Sequence, residues 1–319
     1  MTGTQGGHDD SPAILMDGVV KTYGSTTALA GLSLTIRRGE MFGLIGPDGA
    51  GKTTAIRVMC GLLHPDRGRV RVLDLDPVRG HRALTQKVGY LSQRFSLYGD
   101  LTVDENIAFF AEVHGLRRYD GRRTQLLDMT QLTPFRGRLA SRLSGGMKQK
   151  LALACTLVHE PELIVLDEPT TGVDPISRRE FWKLLSEFID RGMTILMSTP
   201  YLDEAERCMR VALVHEGRTL AVDEPPRLRR LVRGRLLEVL PDDIAAAVEA
   251  ARRSPGVRSV HTFGERLHVA LDDDRDDALD RFRTAVTGTP LATARVREIL
   301  PSLEDVFIAQ LTDKEVVRA

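Results

Sequence analysis

Residues 46–54 read GPDGAGKTT, and few strings of this length constrain a fold so tightly. The string matches G-x-x-x-x-G-K-S/T, a glycine-rich loop whose bare backbone N–H groups close around phosphates. In such a loop Lys52 reaches the β/γ-phosphates and Thr53 the Mg²⁺ ion. Gly46, Gly49 and Gly51 supply backbone angles that a Cβ opposes, and a helix from Lys52 onward points its positive dipole end at the anion. The whole stretch is therefore the candidate phosphate cradle, with Pro47, Asp48, Ala50 and Thr54 as its other members. Met41 to Ile45, just before it, is a short apolar run that reads as a buried strand. Strand, loop and helix in that order predict an α/β fold with a parallel core sheet.

Two later strings belong to the same chemistry. LSGGMKQ at 143–149 opens a helix at Gly145-Gly146, whose Leu151, Ala154, Cys155 and Val158 give it a buried face until Glu160-Pro161 stops it. LIVLDEP follows at 163–169. Leu163 to Leu166 is unbroken apolar sequence, the mark of a strand covered on both faces, and it delivers Asp167 and Glu168 at its carboxyl end, where parallel sheets bind ligands. Adjacent carboxylates at a buried strand end are costly unless a cation offsets them.

Further strands are expected at Ile14–Val20, Leu32–Ile36, Val70–Leu73, Lys87–Leu91 and Thr194–Met197, the second alternating apolar with polar like a half-buried antiparallel strand. Thr54–Leu63 reads as a helix, Tyr201–Cys208 as an acidic helix, and Val211–Val222 as a hairpin turning at Glu216-Gly217. Residues 94–142 are mostly helical and more charged; Thr102 with Glu105 makes a capping box for a helix bearing Val103, Ile107, Phe110 and His114 on one face. Pro225-Pro226 marks a boundary. Beyond it the order β-α-β-β-α-β suits a small ferredoxin-like module, and its acidic cluster Asp272–Asp277 lacks the glycine and closing Glu of a calcium loop.

With 319 residues and 42% hydrophobic content the chain can bury one large core and one small one. Lysine plus arginine and aspartate plus glutamate both number 44, so no overall basic field recruits nucleic acid, and function must sit in local sites. Cys60, Cys155 and Cys208 are far apart and each lies in an apolar or helical pattern, which predicts reduced thiols in a cytoplasmic chain. No apolar stretch reaches the length of a membrane helix, and MTGTQGGHDDSP lacks the profile of a signal peptide.

GPDGAGKTT, LSGGMKQ and LIVLDEPTTGVDP together resemble the nucleotide-binding subunit of ABC transporters, over about residues 13–224. The order of elements and the segment PSLEDVFI at 301–308 are similar to exporters of the multidrug and antibiotic-resistance type. The resemblance implies a P-loop fold of the ABC ATPase type, with an antiparallel β subdomain and a helical subdomain at about 94–160. The residues themselves predict a flexible tail over 1–12 and an accessory domain over 227–319, and the resemblance implies an ATPase domain over 13–225 between them. ATP and Mg²⁺ are the implied ligands. Tyr23, otherwise readable as a strand aromatic of the core, matches the adenine-stacking position. Gln93 matches the glutamine that contacts Mg²⁺ and senses the membrane partner. Asp167 would hold Mg²⁺ and Glu168 would polarise the attacking water, Lys52 assisting the transfer. Ser144, Gly145 and Gly146 would cap the ATP of the opposite subunit, and Asp174, by itself only a turn residue, would cross the same interface.

Two positions depart from the family pattern: Asp48, where Asn is usual, and Ser198-Thr199-Pro200, where the pattern ends in a histidine that contacts the γ-phosphate. His215 lies in the hairpin turn and reads as a surface residue. The implied function is the ATP-hydrolysing motor of an exporter, peripheral on the inner face of the membrane. Its partners would be an integral membrane permease and a second nucleotide-binding domain, identical or not. A regulatory subunit with little turnover is the alternative that Pro200 supports. Non-transport ABC ATPases fit less well, because only about 90 positions separate Thr53 from Leu143 and each motif occurs once.

Overall fold

A computed structural model of the protein describes residues 11–93, 97–272 and 277–318, and the chain divides after Glu224 into two units. The described strands of the first unit are, in chain order, β1 (Ile14–Tyr23), β2 (Thr26–Ile36), β3 (Met41–Ile45), β4 (Arg67–Val72), β5 (Val88–Leu91), β6 (Leu163–Asp167), β7 (Thr194–Thr199), β8 (Arg210–His215) and β9 (Arg218–Asp223). Every residue of β3, β6 and β7 is buried, which is why their apolar runs 41–45, 163–166 and 195–197 do not alternate with polar residues. They form the middle of a six-stranded sheet of order β5-β6-β7-β3-β8-β9, parallel except for the last pair, which is the expected hairpin.

A three-stranded antiparallel sheet, β2-β1-β4, covers part of it. On β2, Leu32, Leu34 and Ile36 are buried while Ser33 and Thr35 are exposed, so the alternation legible in the sequence sorts one face to the core. That face, with Phe42, Leu44, Ile56, Met59 and Leu196, belongs to one core cluster. Each fully buried side chain of this size contributes roughly 1.5–3 kcal/mol relative to exposure.

The helical segment holds Val103–Val113 and Asp120–Met129, then Gly145–Leu157. Thr102 caps the first of these reciprocally with Glu105: the Glu105 N–H donates to Thr102 Oγ1 at 3.2 Å and the Thr102 N–H to Glu105 Oε2 at 2.7 Å. Such a cap contributes about 1 kcal/mol. Sequence reasoning passed over the helix Pro175–Asp190, although Asp174 caps it and proline stands at its first position. Its Phe181, Trp182, Leu184, Leu185 and Phe188 form the buried stripe.

The expected acidic helix Tyr201–Cys208 is a correction: only Leu202–Ala205 is α-helical. The Arg207 and Cys208 N–H groups bond back only three residues, to Glu204 and Ala205. The tightening lets the Met209 N–H reach the Met41 carbonyl and start β8 beside β3.

The second unit, 225–319, carries β10 (Leu236–Leu240), β11 (Val257–Phe263), β12 (Arg266–Leu271) and β13 (Arg295–Ile299) in the antiparallel order β11-β12-β10-β13. With the helices Ile244–Arg253 and Ala278–Ala285 this is the ferredoxin-like arrangement. Leu237, Val239, Ala247, Ala251, Val269 and Phe282 share its core. The segment PSLEDVFI opens a helix, Leu303–Arg318, where Ser302 and Asp305 exchange hydrogen bonds as a cap. Most of the tail expected over 1–12, and most of the acidic cluster 272–277, lie outside the described residues. Among the described residues no helix is long and apolar enough to cross a membrane.

Candidate nucleotide site

Three neighbouring strands end together. In the sheet β7 lies between β3 and β6, with Ser198 opposite both Leu44 and Asp167 and Thr199 opposite Ile45. The loop Gly46–Gly51 leaves β3, Asp167 and Glu168 leave β6, and Ser198-Thr199-Pro200 leaves β7, so the motifs meet at one carboxyl edge.

The loop is wedged in place. Gly51, at φ 101°, opens the helix Lys52–Met59, and a Cβ there would lie 2.5 Å from the Ala28 carbonyl oxygen. Gly46 sits so close to the Val214 carbonyl that a side chain has no room. The hairpin tip helps, since the Gly217 N–H donates to the Ala50 carbonyl at 2.9 Å. Pro47, Asp48 and Gly49 are exposed at the crest, whereas Thr53 and Thr54 are half-buried. Lys52 is 3% exposed; its Nζ donates to the carbonyls of Gly46 at 2.8 Å and Pro47 at 3.1 Å and stands 3.2 Å from Glu168 Oε1.

The carboxylates are held as tightly. Thr53 Oγ1 donates to Asp167 Oδ1 at 3.2 Å and Ser198 Oγ to the same oxygen at 2.7 Å. Asp167 Oδ2 is buried with no hydrogen-bond partner among the described residues. An orphaned carboxylate oxygen beside a threonine hydroxyl and a second carboxylate is a donor set that suits a hard divalent cation, so these residues fit Mg²⁺. Glu168 adopts φ 50°, a left-handed conformation that costs a non-glycine residue energy, and its N–H is fixed by both the Ser198 carbonyl and Oγ at 3.1 Å. Gln93 Nε2 donates to Glu168 Oε2 at 3.0 Å. Burial first, then Asp167, pushes the nearby Cys60 thiol up to about 12; Cys155 and Cys208 are also buried and raised, so all three stay neutral thiols.

Lys52, Thr53, Gln93, Asp167 and Glu168 are thus brought together. Ser144, Gly145, Gly146 and Asp174 are not: among the described residues no hydrogen bond joins them to the Lys52 cluster. They form a group of their own. Ser144 caps the helix Gly145–Leu157, and Gly146 packs so closely on the Ser177 side chain that a Cβ there would overlap Ser177 Oγ. The Ser177 N–H donates to Asp174 Oδ1 at 3.0 Å, and the Ser177 hydroxyl first, then this N–H, hold the Asp174 carboxyl below its usual range. Ser144, Gly145 and Asp174 are exposed. Tyr23 stands at the end of β1, 46% exposed, with the Lys21 ammonium 5.9 Å above its ring, so it is not a core aromatic.

Ser198 is the functional residue that motif reading missed, and its signal was only a serine at the end of an apolar strand. Beside the cluster, Cys60, Leu62, Tyr90, Phe110, His114 and His159 line an open cleft of about 240 Å³. The rings of His114 and His159 stack at 3.7 Å, and burial, then the neighbouring ring, draws His159 down to about 4. His159 is accordingly neutral near pH 7, and the cleft lining is largely apolar.

A family model described as ABC transporter matches residues 29–171. The daunorubicin resistance ATP-binding protein DrrA3 of Streptomyces coeruleorubidus is 35% identical over 309 residues, covering 96% of this chain and 98% of that protein. The chain belongs to the ATP-binding proteins of ABC transporters. A probable multidrug ABC transporter ATP-binding protein, YbhF of Escherichia coli, is 44% identical over 285 residues; the match takes in 88% of this chain but only 48% of that protein's length. Among solved structures, the ATP-binding subunit of an ABC transporter superposes with a TM-score of 0.63 at 31% identity, covering 68% of this chain and 92% of that one. The dimeric cassette MJ0796 gives 0.60 at 27% identity, with 66% and 98% covered. The first unit therefore has the α/β fold of an ABC ATPase.

Proposed function

We propose that this chain is the ATP-binding and ATP-hydrolysing subunit of an exporter for a drug-like, antibiotic or lipophilic compound. The observation that carries the ATPase reading is the convergence of Lys52, Thr53, Asp167, Glu168 and Gln93 at one sheet edge. The export reading rests on the relatives named for multidrug and daunorubicin resistance. Backbone N–H groups of 46–54 and the Lys52 ammonium grip the phosphates, and Tyr23 offers an exposed ring to the adenine. Thr53, Asp167 and Gln93 would hold Mg²⁺, which supplies charge neutralisation on the phosphates. Glu168 orients and polarises the attacking water, while Lys52 stabilises charge that grows on the transferred phosphoryl group.

The group of Ser144, Gly145 and Asp174, exposed around the buried Gly146, completes the site of a second nucleotide-binding domain, so ATP closes a dimer and hydrolysis reopens it. The permease docks on the helical subdomain, where the apolar cleft beside Tyr90 and His114 offers a receptive surface. The chain then works on the cytoplasmic face of the membrane. Affinity purification from detergent-solubilised membranes is expected to bring down a multi-spanning protein in proportion to this chain. Recovery of the chain alone, or with ribosomes or DNA, sinks the transport reading.

Pro200 weakens the chain's own site, since a proline side chain neither donates nor accepts where the family histidine contacts the γ-phosphate. It is the observation that favours the alternative, a regulatory subunit with little turnover. Pro200→His is expected to raise ATP turnover of the assembled complex about tenfold, the equivalent of one net hydrogen bond to the γ-phosphate. Unchanged phosphate release in that variant, with Glu168→Gln inactive, removes any kinetic meaning from the proline.

A further inference from the structure

Glu204 is 1% exposed and is claimed by no motif. Its Oε1 accepts from Thr170 Oγ1 at 2.6 Å and lies 3.6 Å from Arg178 Nε; its Oε2 accepts from Thr199 Oγ1 at 2.7 Å. These partners come from three segments of the site. Thr170 stands two residues beyond Glu168. Arg178 rides on the helix that Asp174 caps, and its guanidinium lies over the Tyr201 ring at 5.1 Å. Thr199 is the link between Ser198 and Pro200, and its Oγ1 also accepts from the Tyr201 N–H at 3.0 Å.

A buried carboxylate persists only where its oxygens are paired, so these bonds fix one geometry for the turn. Ser198, the neighbour of Thr199, is the residue that holds Asp167 Oδ1 and the Glu168 N–H. We propose that Glu204 is a positioning residue for ATP hydrolysis: it clips the Pro200 turn to the strand end of Thr170 and to the Asp174 helix, and through Ser198 it sets both carboxylates. It does not touch the reacting atoms. The inference rests on the ATPase reading above.

The test uses the full-length chain. In Glu204→Gln the amide keeps the volume but offers two donors where the carboxylate only accepted, and the charge facing Arg178 is lost. We expect kcat to fall about tenfold while KM for ATP moves less than about twofold, because Lys52 and the loop are untouched. The Mg²⁺ concentration needed for half-maximal nucleotide binding, read by calorimetry, is expected to rise roughly fivefold as Asp167 loses its fixed orientation. On a Ser198→Ala background Glu204→Gln is expected to add almost nothing to either readout, since both act along one path.

Equal proportional losses in the two backgrounds, or a Glu204→Gln chain with unaltered kcat and Mg²⁺ requirement, overturn the proposal. Should that variant fold poorly, Thr170→Val leaves the carboxylate and Arg178 in place and must still lower kcat without raising KM; full activity in it overturns the proposal as well. A wild-type chain no faster than Glu168→Gln sinks the ATPase reading, and the Mg²⁺ titration then still decides the role of Glu204.

Discussion

Glu168→Gln is expected to lower ATP turnover by about 10²- to 10³-fold while leaving nucleotide affinity within a few-fold. The Glu168 backbone is fixed at φ 50° by two bonds from its N–H to Ser198, and glutamine can keep that backbone and volume. What is lost is the charge that, in the role proposed for Glu168, polarises a water. The side chain is poised for that role: Lys52 Nζ at 3.2 Å and Gln93 Nε2 at 3.0 Å aim its two oxygens. Phosphate release measured beside equilibrium ATP binding separates the two effects. Turnover within threefold of the unaltered chain means that another group activates the water.

Lys52→Ala is expected to weaken ATP binding by about 10- to 100-fold, the equivalent of one charge-assisted contact to phosphate. It also acts on the protein without nucleotide. The ammonium bridges the Gly46 and Pro47 carbonyls and neutralises Glu168, whose side chain is 9% exposed. Its removal leaves that carboxylate facing two carbonyl oxygens, a loss of up to about 3 kcal/mol of stability. The double variant Lys52→Ala with Glu168→Gln is expected to regain most of that stability and none of the ATP affinity. Denaturant melts and calorimetry on the same samples check both halves. ATP affinity preserved in Lys52→Ala would remove the loop from the nucleotide site.

Particular residues show why some of this was legible in the chain and some was not. GPDGAGKTT could be read because its glycines are demanded locally: Gly51 has a left-handed backbone and no space for a Cβ. Leu163–Asp167 could be read because a strand covered on both faces shows no alternation. The helix Pro175–Asp190 carries a cap, a first-turn proline and an apolar stripe, all of them local signals. Tyr201–Cys208 was read too long because the bond from Met209 to Met41, not local propensity, decides where that turn tightens.

Ser198 and Glu204 left no comparable trace. Serine at a strand end and glutamate in a short acidic helix are ordinary, and each is tied to a partner far along the chain, Ser198 to Asp167 and Glu204 to Thr170. By itself the sequence determined the phosphate loop, the paired carboxylates and the helix start at Gly145, because each is a local demand of backbone angle, burial or charge. The tertiary structure alone decided that β7 lies between β3 and β6, since strand order is set by how the faces pack and not by the order of residues. That placement puts Ser198 against Asp167, and Glu204 behind it.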